Sequence, residues 1–494
     1  MRKLITSACA IFIGIVGVAS AETKGIFRQA HEYGFGENSS LDPISKGRVF
    51  QITEKVMNRL VRPNMDGQPS PDLAISWEAN SDATIWTLKL RQGVKFHDGS
   101  DFDAADVVYS LKRVLDPELA SPARSAVKMI TSVEAVDAET VKLSLDTSFA
   151  DLPLQLMDYR LMMLPEGSGE TIASTGIGTG PFKLVKFDAA ATTILEANMD
   201  YYAGAPGVER MEIIGIPDGQ ARLQALLGGQ IDMESGITAQ QRPMLASSSK
   251  YAIQDVPTGN WRGIVFRTDV APFNDPRVRK AMRIVADRNE LLALAEGGNG
   301  VIACDTPVGP KDQYAPNLIC PQDVAGAKAL LAEAGFPDGL DVDVYLSTLE
   351  PTWPTMVEVY QGQAAKAGIR IKIVLVPTDG FWKDVWMQKD AVTTRWNERT
   401  ADSALHEIYL STAKWNESYY KDAGFDELLA QSRRELDFNK RKTLYVEAQK
   451  HLFETSGTLI PYHVTKLVGT TARVKNLDAV ENFAIRWDKI TLED

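Results

Sequence analysis

The sequence is poor in the side chains that most readily carry catalysis or bind metals. Its 494 residues include three cysteines and five histidines, the latter scattered at His31, His97, His406, His451 and His463 without metal-ligand spacing. His31-Glu32 and His406-Glu407 lack the second histidine that a zinc-binding helix places four residues on. There is no GxSxG elbow and no GxxxxGK[ST] loop. The glycines of GIGTGPF (176 to 182) are not spaced GxGxxG, and Pro181 interrupts the helix start that phosphate binding needs, so this stretch reads as a tight turn. No metal, nucleotide or other cofactor is expected, and an enzyme is disfavoured. A carboxylate pair for glycoside hydrolysis is the catalytic device that 65 Asp and Glu residues leave open.

Positive charge is also scarce. The net charge of −12 argues against nucleic acid and anionic membrane as partners. Long apolar runs are absent except at the start, where Arg2 and Lys3 precede a charge-free run from Leu4 to Ala21 ending in Ala19-Ser20-Ala21. That pattern predicts a secretory signal peptide over residues 1–21, cleaved to leave Glu22 first. Cys9 lies too early in the run to be a lipid-modified first residue, so a soluble periplasmic product is expected. Removal of Cys9 leaves Cys304 and Cys320, sixteen apart. In an oxidising compartment they are predicted to form one disulfide, stapling CDTPVGPKDQYAPNLIC, with two free buried thiols as the alternative. The chain-entropy account puts such a bridge at roughly 3 kcal/mol.

What is present is a globular chain with 44% hydrophobic residues, enough for several cores and two or three lobes. Trp86, Leu88 and Leu90 alternate with Thr87, Lys89 and Arg91, the period of a half-buried strand. A helix follows, capped by Asp103, with Asp106 in its first turn, an apolar stripe of Val107, Leu111, Val114 and Leu115, and a stop at Asp116-Pro117. A second helix starts at Asp275-Pro276 and buries Val278, Ala281, Met282 and Val285. LDVDVYLS (340 to 347) and GIRIKIVLVP (368 to 377) read as strands around the helical MVEVYQGQAAKAG, an order that implies α/β. Late in the chain, RWNERTAD (395 to 402) sets two arginines beside a tryptophan. Arginine grips carboxylate or phosphate with a planar fork and tryptophan supplies a flat apolar wall; the plain alternative is a solvated loop.

Several segments, in order, resemble one family. They are SLDPIS (40 to 45), NRLVRPNMDGQPSPDLAISWE, WTLKLRQGVKFHDGSDFDAADVVYSLKRVLDP (86 to 117), GTGPFKLV, GGQIDM, RGIVFRTDVAPFNDPRVRKAMRIVADR (262 to 288), LLAEAGFPDG, WNESYYKDAGFDELL and LIPYH. Together they resemble family 5 of the extracytoplasmic solute-binding proteins, which serve ABC importers of peptides and nickel. The resemblance implies a two-lobed α/β fold with an extra subdomain and a ligand cleft between the lobes. Lobe I would comprise residues 22–62, 178–270 and 473–494, the subdomain 63–177, and lobe II 271–472. It also implies a monomer that closes on a small-molecule or short-peptide ligand and delivers it to an inner-membrane ABC permease. His97 and Asp98 of FHDG would then be structural.

Dipeptide-binding members carry an aspartate for the ligand's ammonium at a position that falls at or near Arg399, and an arginine for its carboxyl terminus where this chain reads STLEPTWPT, with Glu350 the only charge. Both departures weaken a free-dipeptide reading. They suggest a small anionic or zwitterionic solute, with Arg399 and Arg395 holding a carboxylate or phosphate and Trp396 covering its apolar part. Trp261 and Arg262 are candidates for the opposing wall. Trp353, Trp382 and Trp386 either line the pocket or pack lobe II, and Tyr33 is a further candidate. Peptide binding through backbone contacts, a nickel-chelate or opine-like solute, and a periplasmic hydrolase are the competing readings.

Overall fold

A computed structural model describes residues 23–31, 39–188, 191–478 and 485–493. The signal-peptide segment and Tyr33 lie outside the described residues.

Two long strands, Tyr251–Phe266 and Thr458–Thr471, form the spine of the molecule. They run antiparallel from the Tyr251↔Thr471 pair to the Val265↔Thr458 pair, with a register break between Pro257 and Trp261. On one side of the break Thr458–Thr471 pairs with Met233–Ile237, and the sheet continues through Ile26–His31, Arg210–Gly215, Thr192–Ala197 and Phe182–Lys186. On the other side Trp261 to Phe266 pairs with Ala391–Trp396, followed by Leu340–Leu346 and Ile369–Leu375. Gly300–Ile302 completes an 11-stranded sheet. The two halves of the spine therefore serve different lobes. The two long strands cross between them.

Each part has its own apolar core. One gathers Phe27, Met211, Ile213 and Trp487, with residues from both chain ends. Another, Leu60 to Met163, belongs to a subdomain built on a four-stranded antiparallel sheet ordered Ala74–Ala79, Ile85–Leu90, Thr140–Leu145, Ile130–Asp137. The third is centred on Met282, Val344, Trp353 and Tyr360. The result is the expected two-lobed α/β architecture.

The local readings hold because they rest on local chemistry. Trp86, Leu88 and Leu90 are buried while Ile85 and Lys89 are exposed. Asp103 caps helix Ala104–Leu115 in a reciprocal box with Asp106, and Val107, Leu111 and Val114 are buried beneath it. Asp275 caps helix Pro276–Ile284, which buries Val278, Ala281 and Met282. Strand Leu340–Leu346, helix Trp353–Ala365 and strand Ile369–Leu375 form the parallel unit that the order of patterns implied. Cys304 and Cys320 are joined, with Cα atoms 5.5 Å apart.

GIGTGPF is a turn, and its glycines have a tertiary reason. A Cβ on Gly180 would lie 2.4 Å from the Val56 carbonyl carbon and 2.6 Å from the Lys55 oxygen. The FHDG turn docks on the same segment: the His97 N–H donates to the Gly178 carbonyl at 2.9 Å, and His97 Nε2 lies 3.0 Å from the Gly180 oxygen. Burial pushes the His97 imidazole down to about 4, consistent with a neutral, structural ring.

Candidate functional site

The register of one strand pair sets the site. Trp396 stands opposite Trp261, and Arg395 opposite Arg262. Residues opposite one another share a face, and neighbours along a strand leave by opposite faces. The strand ends at Trp396, so the first two residues of RWNERTAD are divided, with Arg395 and Arg262 on one side and Trp396 and Trp261 on the other.

On the arginine face, Glu350 Oε2 lies 3.1 Å from Arg262 Nε and 3.7 Å from Arg395 Nε. Both are ion pairs without hydrogen-bond alignment. Glu296 is close by; burial pushes its carboxyl up, against the nearby hydroxyls of Thr352 and Tyr462 and the charge of Arg262. Arg262 is thus neutralised from two sides, whereas the Arg395 side chain is 39% exposed.

On the other face, Trp261 is buried in the lobe core at 1% exposure, whereas Trp396 lies near the surface. The Arg399 guanidinium stands over the Trp396 ring, 5.0 Å from its centroid, and its Nε donates to Glu407 Oε2 at 2.8 Å. Cation and carboxylate are 27% and 34% exposed, a half-solvated pair that contributes at most about 1 kcal/mol. A ligand anion can exchange for such a partner at small cost.

The tryptophans form a run. Ring centroids are spaced 6.2 Å from Trp353 to Trp382, 5.7 Å to Trp386, 6.5 Å to Trp396 and 6.0 Å to Trp415. Trp353 anchors it, fully buried, while Trp382 and Trp415 at the surface are 40% and 39% exposed. Behind the middle of the run sits Glu417, 1% exposed. Its Oε1 accepts from Trp396 Nε1 at 3.0 Å; its Oε2 accepts from Thr394 Oγ1 at 2.7 Å and from Trp386 Nε1. Burial pushes this carboxyl up to about 7 against the pull of its three donors. Sequence reasoning missed Glu417 and Trp415: both lie in WNES, where nothing in the spacing marks a carboxylate aimed at two distant indoles.

A recess of about 740 Å³ continues past Trp415 between the subdomain and the lobe, with Met129, Phe149, Glu407 and Leu410 in its lining. His406 faces it but is held by Asp402, 3.1 Å from its Oδ1, and Asp402 is also gripped by both Nε and Nη2 of Arg433 at 2.8 Å. Among the described residues, no group of three or more His, Cys, Asp or Glu is placed to hold a metal ion. No helix among them is long and apolar enough to cross a membrane.

A family model for bacterial extracellular solute-binding proteins, family 5, matches residues 68–416. The chain belongs to this family. The glutathione-binding protein GsiB of Pectobacterium atrosepticum is 28% identical over 400 residues, 77% of each chain, and that of Salmonella paratyphi A is 30% identical over 423 residues, 82% of each. Among solved structures, HbpA2 from Haemophilus parasuis shares the fold with a TM-score of 0.84 at 24% identity, covering 95% of this chain and 100% of that one. This family 5 protein is therefore a solute-binding component of an ABC importer.

Proposed function

We propose that this chain is a monomeric periplasmic receptor that captures a small peptide or peptide-like solute, anionic or zwitterionic, by closing its lobes and hands it to an inner-membrane permease. The observation that carries the reading is Arg399, over the Trp396 ring at 5.0 Å and, among the described residues, paired only with the half-exposed Glu407. A solute carboxylate exchanges for Glu407 and gains a two-pronged, charge-assisted contact with the apolar part of the solute against the indoles. Arg395, exposed and sharing Glu350, is the second anion holder; Arg262, flanked by Glu350 and Glu296, orients Glu350. Trp382, Trp386 and Trp396 form the wall, and Trp261 and Trp353 support it from the cores. The lobes meet at the register break of the spine, near Thr258 to Asn260. The glutathione binding for which the GsiB relatives are named supports a peptide-like zwitterion.

Native mass spectrometry of protein purified from a periplasm without denaturant tests this. A single anionic or zwitterionic species is expected, with affinity reduced about tenfold or more in Arg399→Ala, the worth of a charge-assisted contact of ~1.5–3 kcal/mol. Affinity within twofold of the parent would reject the assignment. The recess beyond Trp415 favours one second reading, an extended peptide held through its backbone, which would appear as a ladder of mixed peptide masses. Consumption of a substrate in excess of protein would contradict both.

A further inference from the structure

Several buried carboxylates of the molecule are each neutralised by an arginine. Asp402 is paired with Arg433, Asp305 with Arg288 at 2.7 Å, and Asp151 with Arg441 at 2.9 Å. Glu417 forms no ion pair among the described residues; only burial and its hydrogen bonds from Trp386, Thr394 and Trp396 act on its charge. Two of those donors are indole N–H groups whose rings belong to the partly exposed run. A carboxylate accepting from an indole N–H loads electron density onto that ring and strengthens the attraction of its face for a cation. An uncompensated negative charge close behind the rings adds a field of the same sign, little screened because it is buried. One ring of this wall already has a cation on it: Arg399 over Trp396.

We infer that the indole run from Trp386 to Trp415 is a cation-accepting surface, made so by Glu417 behind it, and that the solute presents an ammonium or comparable cationic group to it beside the anionic group held by Arg399. This rests on the reading of the tryptophan run as the solute's wall. Glu417 is then a positioning and charge-setting residue: it does not touch the solute, but fixes the indoles and decides which charge they accept. A zwitterion satisfies both halves of the site, whereas a simple dianion satisfies one.

The inference is tested on the ligand-free full chain, so that its failure is separate from failure to identify the solute. Tryptophan fluorescence is quenched by caesium and by iodide, at pH 8 and pH 5.5, in the parent and in Glu417→Gln, which keeps an acceptor for an indole but removes the charge. Around Glu417 stand Trp386, Thr394 and Trp396, and its charge is felt by Tyr409, whose hydroxyl is pushed up by burial and by the Glu417 charge. Arg395, Arg399 and His406 form no ion pair with Glu417 among the described residues and, like the other histidines, are common to both proteins. The parent should show a caesium-to-iodide quenching ratio at least about twofold higher at pH 8 than Glu417→Gln, and the two should converge at pH 5.5, where Glu417 is protonated. Equal ratios at pH 8 would overturn the proposal. Should the Gln variant not fold, Glu417→Asp is read instead. It keeps the charge one carbon further back, so the pH-dependent part of the ratio should move its midpoint, and an unmoved midpoint would overturn the proposal. Once the solute is in hand, the sign of its pH dependence gives an independent reading: a cation on the wall favours ionised Glu417, so affinity rises with pH through about 7, whereas an anion there makes it fall.

Discussion

Single residues here are decided by their partners more than by their type. Arg262, Arg395 and Arg399 are chemically identical, yet one is held between two carboxylates, one shares Glu350 and one leans on an indole. Asp402 shows the same principle in a structural role. Burial alone would raise its carboxyl, but His406, Arg433 and their hydrogen bonds hold it well below the usual range. Asp402→Ala would leave Arg433 half-buried and unpaired and remove the acceptor of the Tyr445 hydroxyl. A loss of ~3–5 kcal/mol is expected, read as a lower urea midpoint; a loss below about 1 kcal/mol would mean that the network is solvated. A sequence reader sees an aspartate in RWNERTAD and has no means of knowing that it faces inward to a helix 31 residues on.

At the scale of elements, the caps and the strand period were legible because each is set within a few residues. Asp103 with Asp106 and the alternation of Trp86, Leu88 and Leu90 need nothing distant. The turn GIGTGPF was legible as a turn, but the need for glycine at 180 was not, because the backbone it presses on belongs to Lys55 and Val56. Gly180→Ala is therefore expected to destabilise the chain by ~1–3 kcal/mol through forced displacement of backbone. Gly362→Ala, where a Cβ meets nothing within 4 Å in the middle of helix Trp353–Ala365, should be neutral or stabilising. Parallel thermal melts of the two variants check the contrast, and equal melting temperatures would refute the packing argument.

For the whole molecule, the balance of buried acids sets the response to pH. Burial pushes Asp151 up to about 7, Asp312 to about 6 and Glu417 to about 7. Unfolded, these carboxyls release their protons near pH 4. Between about pH 4 and 7 these three carboxyls bind more protons folded than unfolded, so their contribution to stability falls as pH rises through this window, while His31, His97 and His463, pushed by burial down to about 4, contribute with the opposite sign between about pH 4 and 6.5. Calorimetric melts of Glu417→Gln isolate one carboxyl: its melting temperature relative to the parent should rise from pH 5 to pH 8, and an unchanged difference would place this carboxylate in a wetter setting. Lobe closure is the second whole-molecule property. Solute at 100 times its Kd should add about 2.7 kcal/mol to stability, and small-angle scattering should show a smaller radius of gyration with solute than without. An unchanged radius would show that capture proceeds without closure.

The sequence by itself determined the class of the protein: an acidic, motif-poor chain with α/β patterning and segments of family 5 in order, since these depend on local spacing and composition. It also marked Arg399 and Trp396 as a pair worth locating, and Cys304 and Cys320 as a bridge. Only the tertiary structure decided which faces Arg395 and Trp396 take, because one register, Trp261 against Trp396, sends neighbouring residues of the strand to opposite sides. It alone set Glu417 behind Trp386 and Trp396, 31 and 21 residues away in the chain. Contacts of that separation are made by sheet register and lobe packing, which act through the assembled core and leave no periodicity in the sequence to read.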